Sequence, residues 1–208
     1  MNVDSIIFDL DGTLWDSSEV ILSSWNEVLK SYNEIEKQLS LEDLHSILGL
    51  QIKDIGKKLF PELDEEMHLK LLNHCIEVEC TYLSKQGGKL YDNLEEALVK
   101  LSEKYKLFIV SNCQCGYIES FYESHKLDKF FLDFEHPGRT NLTKGENTKL
   151  IMDRNNLKAP LYVGDTEGDL KASRFAGIPF VFARYGFGKV SEYDHVIDNF
   201  TDLLKLLT

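Results

Sequence analysis

Residues 4–9 read Asp-Ser-Ile-Ile-Phe-Asp, a short β-rich apolar run without polar alternation, which predicts a strand buried on both faces. The next seventy residues change period. Val20, Ile21, Trp25, Val28, Leu29 and Tyr32 recur at helical spacing, with Asp16 or Ser17 placed to cap them. Ser40-Leu41-Glu42-Asp43 has the form of a capping box ahead of Leu44, Ile47 and Leu48. Ile52, Ile55 and Leu59 continue the pattern until Pro61, which cannot extend a helix. Met67, Leu71, Leu72, Cys75, Ile76, Tyr82 and Leu83 predict a longer helix, ended by Gly87-Gly88.

From Gly88 onward strands and helices alternate. Asp92 is placed to cap a helix carrying Leu94, Ala97, Leu98 and Leu101, and Leu107–Ser111 reads as a buried strand. A helix near 116–125, a strand over Phe131–Phe134 and a helix over 146–155 follow, with Lys144 just ahead of the last. Leu161–Val163 is the fourth strand, and the helix after it is closed by Gly177, which suits a left-handed C′ position. Phe180–Ala183, His195–Ile197 and a helix over Leu203–Leu207 complete the chain. Such alternation predicts an α/β fold, a Rossmann-like parallel sheet with helices on both faces. The all-helical block interrupts that series after its first strand. It reads as an insert, with residues 1–15 and 88–208 forming the core and residues 16–87 a helical cap domain.

Composition narrows the partners. Of 208 residues, 43% are hydrophobic and 28% charged, so an ordinary globular core is within reach. A net charge of −12 argues against nucleic acid, whose backbone demands a broad cationic surface. A small phosphorylated ligand held by one or two lysines remains compatible. No apolar stretch approaches the ~20 residues a membrane span requires, and no basic region precedes the short apolar run at the N-terminus. A cytoplasmic protein is expected; monomer and dimer stay open. Cys113-Gln114-Cys115 is too closely spaced for paired zinc ligands, and Cys75 and Cys80 have only His74 for company, so reduced thiols are expected.

In parallel sheets of this kind ligands bind beyond the carboxyl ends of the strands. Three strands here end in reactive side chains: Asp9 and Asp11 after the first, Ser111 and Asn112 after the second, Asp165 and Asp169 after the fourth. Carboxylates crowded into one crevice repel and partly protonate unless a cation neutralises them. A few hard oxygen ligands with room for water and phosphate suit Mg²⁺.

These pieces resemble the four motifs of the haloacid dehalogenase superfamily: Asp-x-Asp-Gly-Thr at 9–13, Ser111, Lys144, and Gly-Asp-x-x-x-Asp at 164–169. A helical insert directly after the first motif is similar to the small C1 cap of phosphoglycolate phosphatase-like members, and the likeness covers essentially the whole chain. It implies a Mg²⁺-dependent hydrolase of a small phosphomonoester metabolite, with the cap closing over the site. Asp9 would attack phosphorus and form an aspartyl-phosphate. Asp11 would act as general acid and base. Asp9, Asp165 and the backbone carbonyl of Asp11 would hold Mg²⁺, with Asp169 in support. Ser111 and Lys144 would bind phosphoryl oxygens, joined by backbone amides at Gly12, Thr13 and Asn112.

Asp11 favours phosphate chemistry over dehalogenation, since halide departs without a proton. A mutase or phosphotransferase is the competing reading. Mutases of the family place a histidine twelve residues after the nucleophile, where this chain has Ile21. A Schiff-base lysine in the cap, as phosphonoacetaldehyde hydrolases need, is not identifiable. Receiver-like phospho-aspartate modules share acids, Mg²⁺, a hydroxyl and a lysine, but lack the insert and the second acid. The third motif departs from the common Lys-Pro-x-Pro, reading Lys144-Gly145-Glu146-Asn147, and Lys149 and Lys158 compete for its role.

Plainer readings apply elsewhere. Asp-Gly at 11–12 favours turns in any protein, and Asp169 alone could sit on a helix surface. Lys53, Lys57 and Lys58 read as a solvated helix face, and Trp25 and the histidines as packing or surface residues. Arg139 is a lesser candidate for touching the ligand. Gly186-Phe187-Gly188-Lys189 lacks P-loop spacing and reads as a flexible loop at the crevice mouth.

Overall fold

A strand that must bury both faces needs neighbours on each side, and β1 (Ser5–Phe8) has them. The computed structural model describes residues 2–47, 50 and 52–207, excepting the side chains of residues 52 and 53; Leu48 and the Lys53 side chain therefore lie outside the described residues. After β1 come β2 (Trp15–Asp16), α1 (Ser18–Leu29), α2 (Leu41–His45), α3 (Ile52–Leu59) and α4 (Glu65–Gln86). Then follow β3 (Lys89–Leu90), α5 (Leu94–Ser102), β4 (Lys106–Val110), α6 (Tyr117–His125), β5 (Phe131–Glu135) and α7 (Pro137–Thr140). The chain closes with α8 (Lys144–Arg154), β6 (Pro160–Gly164), α9 (Glu167–Ala176), β7 (Phe180–Ala183), β8 (His195–Ile197) and α10 (Asp202–Leu206).

Six strands form one parallel sheet in the order β5-β4-β1-β6-β7-β8. Strand order reverses about β1, the arrangement that opens a crevice at the carboxyl ends of the central strands. Phe8 pairs with both Ile109 and Val163, so the segments leaving β1, β4 and β6 emerge at one level. Beneath them Ile7, Phe108, Val110, Tyr162 and Phe180 are fully buried in one apolar cluster with Ile151 and Leu170 of the flanking helices. The Tyr162 hydroxyl, which would be costly to bury unpaired, donates to the Val110 carbonyl at 2.6 Å.

Contacts divide the chain into two compact units. The α/β unit comprises Met1–Asp16, Lys89–Cys115 and Leu127–Thr208. The helical unit comprises Ser17–Gly88 together with Gly116–Lys126. The sequence pattern assigned α6 to the core because it follows a core strand. Within the helical unit, however, α6 packs on α4, with Ser120 Oγ donating to the Cys80 carbonyl at 3.1 Å and the Tyr117 hydroxyl to Ser17 Oγ at 2.9 Å. Side-chain contacts over long sequence separation decide that membership, and periodicity does not report them.

Local signals are largely realised. The Ser40 hydroxyl accepts from the Asp43 amide at 3.1 Å while the Asp43 carboxylate accepts from the Ser40 amide at 2.9 Å. Gly177 adopts φ +74° after α9. Asp92 does not cap α5; Asn93, at φ 58°, stands at that position and continues the chain from a turn. The antiparallel pairing of β2 with β3, where the chain leaves and re-enters the α/β unit, has only two residues per strand and is too short for pattern reading. Lys57 pairs with Glu65 at 3.5 Å and Lys58 donates to the Ser46 carbonyl, as surface lysines do. Among the described residues no helix is long and apolar enough to cross a membrane.

Candidate active site

The turn after β1 is held by its own backbone. The amides of Thr13 and Leu14 donate to the Leu10 carbonyl at 3.2 and 2.8 Å, and Gly12 donates to the Trp15 carbonyl at 2.9 Å. Gly12 has φ +79°, and a Cβ there would lie 2.3 Å from Asp165 Oδ2, so both conformation and space require glycine. The amides of Gly12 and Thr13, offered by the sequence reading as phosphate donors, are thus engaged within the turn. What Thr13 does offer is a fully buried hydroxyl that, among the described residues, has no hydrogen-bond partner.

Asp9 begins that turn and is buried. Its amide donates to the Val163 carbonyl at 2.9 Å, tying it to β6, the strand that leads into Asp165. Lys144 Nζ donates to Asp9 Oδ1 at 2.7 Å and to Asp169 Oδ1 at 2.5 Å, with all three side chains buried. Lys144 is the first residue of α8 and does not precede the helix. Thr143 caps it, accepting from the Glu146 amide at 3.3 Å, while Glu146 accepts from the Thr143 amide at 2.8 Å. Asn147, at the last position of the departing motif, receives the Thr140 hydroxyl at 2.8 Å and donates to the Leu142 carbonyl at 3.3 Å, pinning the approach to α8. The competitors stand elsewhere: Lys149 is exposed over the Phe175 ring, and Lys158 is exposed at the turn before β6.

Asp169 is fully buried on the first turn of α9, where it closes a capping box with Thr166. Its Oδ2 accepts the Asp165 amide at 3.1 Å, the Thr166 amide at 2.9 Å and the Thr166 hydroxyl at 2.7 Å. With Oδ1 given to Lys144, both of its oxygens are engaged, as suits a residue that orients others. Asp165 is different. Oδ2 accepts the amides of Phe187 and Gly188 at 2.7 and 3.2 Å, whereas Oδ1 is buried and, among the described residues, has no hydrogen-bond partner.

Carboxylate oxygens of Asp9, Asp165 and Asp169 lie within 4.8 Å of one another, and one ammonium cannot balance three buried acids. Burial, followed by the charge of Asp169, pushes the Asp9 carboxyl up to about 7 even beside Lys144. Burial, then Asp169 and Asp9, push Asp165 up to about 8. Burial alone would lower Lys144, but the carboxylates of Asp169 and Asp9 outweigh it and hold the ammonium well above its ordinary value. A divalent cation fits this site: hard oxygens, excess negative charge and an oxygen left open on Asp165.

Asp11 stands apart from that cluster. It is half-buried, and its Oδ1 accepts the Trp15 indole N–H at 2.9 Å. Ser111 is buried directly after β4, its amide donating to the Glu135 carbonyl at 3.3 Å, and Asn112 follows, half-buried. Arg139 is turned to structure, bonding Glu135 at 2.9 Å and lying over the Phe134 ring. The residues that sequence reasoning missed are Tyr185–Gly188. Tyr185 was not singled out and Gly186–Lys189 was read as a flexible loop, whereas Tyr185 bonds the turn after β1 and Phe187 and Gly188 bond Asp165. Two glycines around an aromatic, after a strand, were the available signal.

The model of the haloacid dehalogenase-like hydrolases matches residues 6–183, and the chain belongs to that family. It is a phosphoric monoester hydrolase of the haloacid dehalogenase type. A phosphoglycolate phosphatase of Photobacterium profundum is 26% identical over 97% of this chain and 94% of its own length. The pyrophosphatase PpaX of Anoxybacillus flavithermus is 28% identical over 100% of this chain and 98% of its own. Among solved structures, a predicted phosphoglycolate phosphatase from Haemophilus somnus superposes with a TM-score of 0.88 at 23% identity, covering 100% of this chain and 99% of the other. At that identity the likeness concerns the fold.

Proposed function

We propose that this chain is a Mg²⁺-dependent phosphatase of a small phosphomonoester metabolite, working through an aspartyl-phosphate on Asp9. The observation that carries the reading is the buried meeting of Asp9, Lys144 and Asp165, one acid offering an open oxygen. Mg²⁺ would be held by Asp9, Asp165 and the Asp11 carbonyl, with Asp169 in support, and when bound supplies charge neutralisation at the phosphoryl oxygens.

Asp9 attacks phosphorus as the bond to the leaving alkoxide breaks, and Asp11 delivers the proton that alkoxide needs. A water then loses its proton to Asp11 and attacks phosphorus. The P–O bond to Asp9 breaks, releasing phosphate and restoring the carboxylate. Lys144 and Ser111 hold the transferring oxygens, a task of positioning and charge. Trp15 orients Asp11, and its half-exposed position leaves it free to exchange its proton with solvent. The helical unit is proposed as the cap domain that selects the leaving group, and the cytoplasm as the compartment. The curated phosphoglycolate phosphatase relative supports a small phosphorylated carboxylate as the first substrate to try.

The test is release of phosphate from an aryl phosphate and from a panel of phosphorylated metabolites, with and without Mg²⁺. Mg²⁺-dependent turnover with a transient phosphorylated chain is expected. Full activity in Asp9→Asn, or turnover that ignores chelator, would refute the reading.

A further inference from the structure

The segment joining β7 to β8 is tied to the site at successive residues. Gly186 donates its amide to the Ala183 carbonyl at 3.1 Å, folding the chain back from the end of β7. The Tyr185 hydroxyl donates to the Thr13 carbonyl at 2.8 Å, and its ring meets Tyr91 edge-on at 4.6 Å. Phe187 and Gly188 donate their amides to the same oxygen of Asp165, at 2.7 and 3.2 Å. Ser191 completes the path on the first turn of α9, its amide and hydroxyl donating to Glu167 at 2.9 and 3.1 Å. Glycine is required along this path. A Cβ on Gly186 would lie 2.4 Å from both the Asp165 Cβ and the Gly12 carbonyl, and one on Gly188 would lie 2.4 Å from the Asp165 carbonyl.

Two amides on Oδ2 fix the Asp165 carboxylate in rotation and occupy that oxygen. The other oxygen, buried and open, is left to face a cation alone. A carboxylate so held can ligate through one oxygen only. That geometry suits Mg²⁺, which takes six ligands at short, near-ideal octahedral positions, and penalises Ca²⁺, which readily takes both oxygens of a carboxylate in a larger shell.

Resting on the cation reading above, we infer that Tyr185–Gly188 is a positioning strap that holds Asp165 monodentate and thereby sets the preference of the site for Mg²⁺ over Ca²⁺. The strap touches no substrate in this role; it acts through Asp165. Outer hydrogen-bond partners of metal ligands commonly carry about 10–100-fold in metal affinity.

Binding of Mg²⁺ and of Ca²⁺ to the full chain is measured by titration calorimetry for wild type, Gly186→Ala, Tyr185→Phe and Asp165→Asn, with melting in chelator as the check on folding. Gly186→Ala, whose Cβ must push the strap away from the Gly12 carbonyl, is expected to melt below wild type, lose about tenfold or more in Mg²⁺ affinity and move the Mg²⁺-to-Ca²⁺ ratio towards Ca²⁺. A merely structural lesion would weaken both ions alike and leave the ratio unmoved. Should Gly186→Ala fail to fold, Tyr185→Phe decides, with a smaller shift of the ratio in the same direction expected. An unmoved ratio in the variant that folds overturns the strap. Loss of binding in Asp165→Asn beside unchanged binding in Gly186→Ala rejects the strap alone, whereas wild-type binding by Asp165→Asn removes the cation reading beneath it.

Discussion

Lys144 donates to Asp9 at 2.7 Å although 135 positions separate them, and the same ammonium reaches Asp169 at 2.5 Å. One cation of the chain is thus shared by two buried acids, and a third, Asp165, is left beside them. The consequences of that imbalance can be measured.

Replacing Asp9 by Asn should abolish turnover, by roughly 10⁴-fold or more, as removal of a nucleophile does. Because a buried carboxyl pushed up to about 7 is also removed, the variant should melt no lower than wild type in chelator. Steady-state kinetics and thermal melts check both. A variant with residual activity above a hundredth of wild type would contradict the assignment.

The acids also make stability depend on pH in a defined direction. Asp9 and Asp165 have raised values in the folded chain, about 7 and about 8, so the folded state holds their protons more tightly than the unfolded state does. Stability without metal therefore falls as pH rises from the ordinary carboxylate range through 7–8. His125, lowered by burial, acts oppositely below its ordinary value, so the comparison should be internal. The melting-temperature increase produced by Mg²⁺ should be larger at pH 8.5 than at pH 5.5, because the ion competes with those protons. Equal increments at both pH values would exclude the linkage.

Lys144→Met strands two buried carboxylates. Breaking a buried pair from one side costs about 3–5 kcal/mol, and that cost should be largest at pH 8 and smaller at pH 6, where Asp9 can take up a proton. Urea unfolding at the two pH values reads the difference. Turnover should be lost at both.

Glu135 carries a prediction about stability alone. Burial would raise it, but hydrogen bonds and charge from Arg139 and Arg154 outweigh burial and hold it below the usual carboxylate range. Its Oε2 receives Arg139 Nε at 3.0 Å and its Oε1 receives Arg154 at 2.8 Å. A lowered acid stabilises above its unfolded value, and that contribution is lost as pH falls through the folded one. Glu135→Gln should cost about 1–3 kcal/mol at pH 7, with the gap to wild type closing in acid. A gap that persists below pH 3 would assign the loss to packing.

Much of the site was legible because its chemistry sits at strand ends. A buried run followed by Asp9, Ser111 or Asp165 places each side chain at the carboxyl edge of a parallel sheet, and that inference needs no coordinates. Asp169 was legible as an acid near Asp165, and the structure adds that it closes a Thr-x-x-Asp capping box. That the amides of Gly12 and Thr13 are engaged within their own turn was not legible, because the hydrogen bonds inside a turn depend on how tightly it curls. Gly186–Lys189 was read as a flexible loop because glycine marks freedom in sequence and close approach in structure, two meanings with one signature.

By itself the amino-acid order determined the alternation of strand and helix, the helical insert and the placing of acids and a hydroxyl at the strand ends. Those properties follow from periodicity, capping and strand termination, which act over a few residues. Only the tertiary structure decided that α6 joins the helical unit, that Arg139 serves Glu135, and that a glycine strap leaves one oxygen of Asp165 open. Each of those depends on groups far apart in the chain coming within hydrogen-bond or van der Waals reach, where distance in space has no counterpart in distance along the sequence.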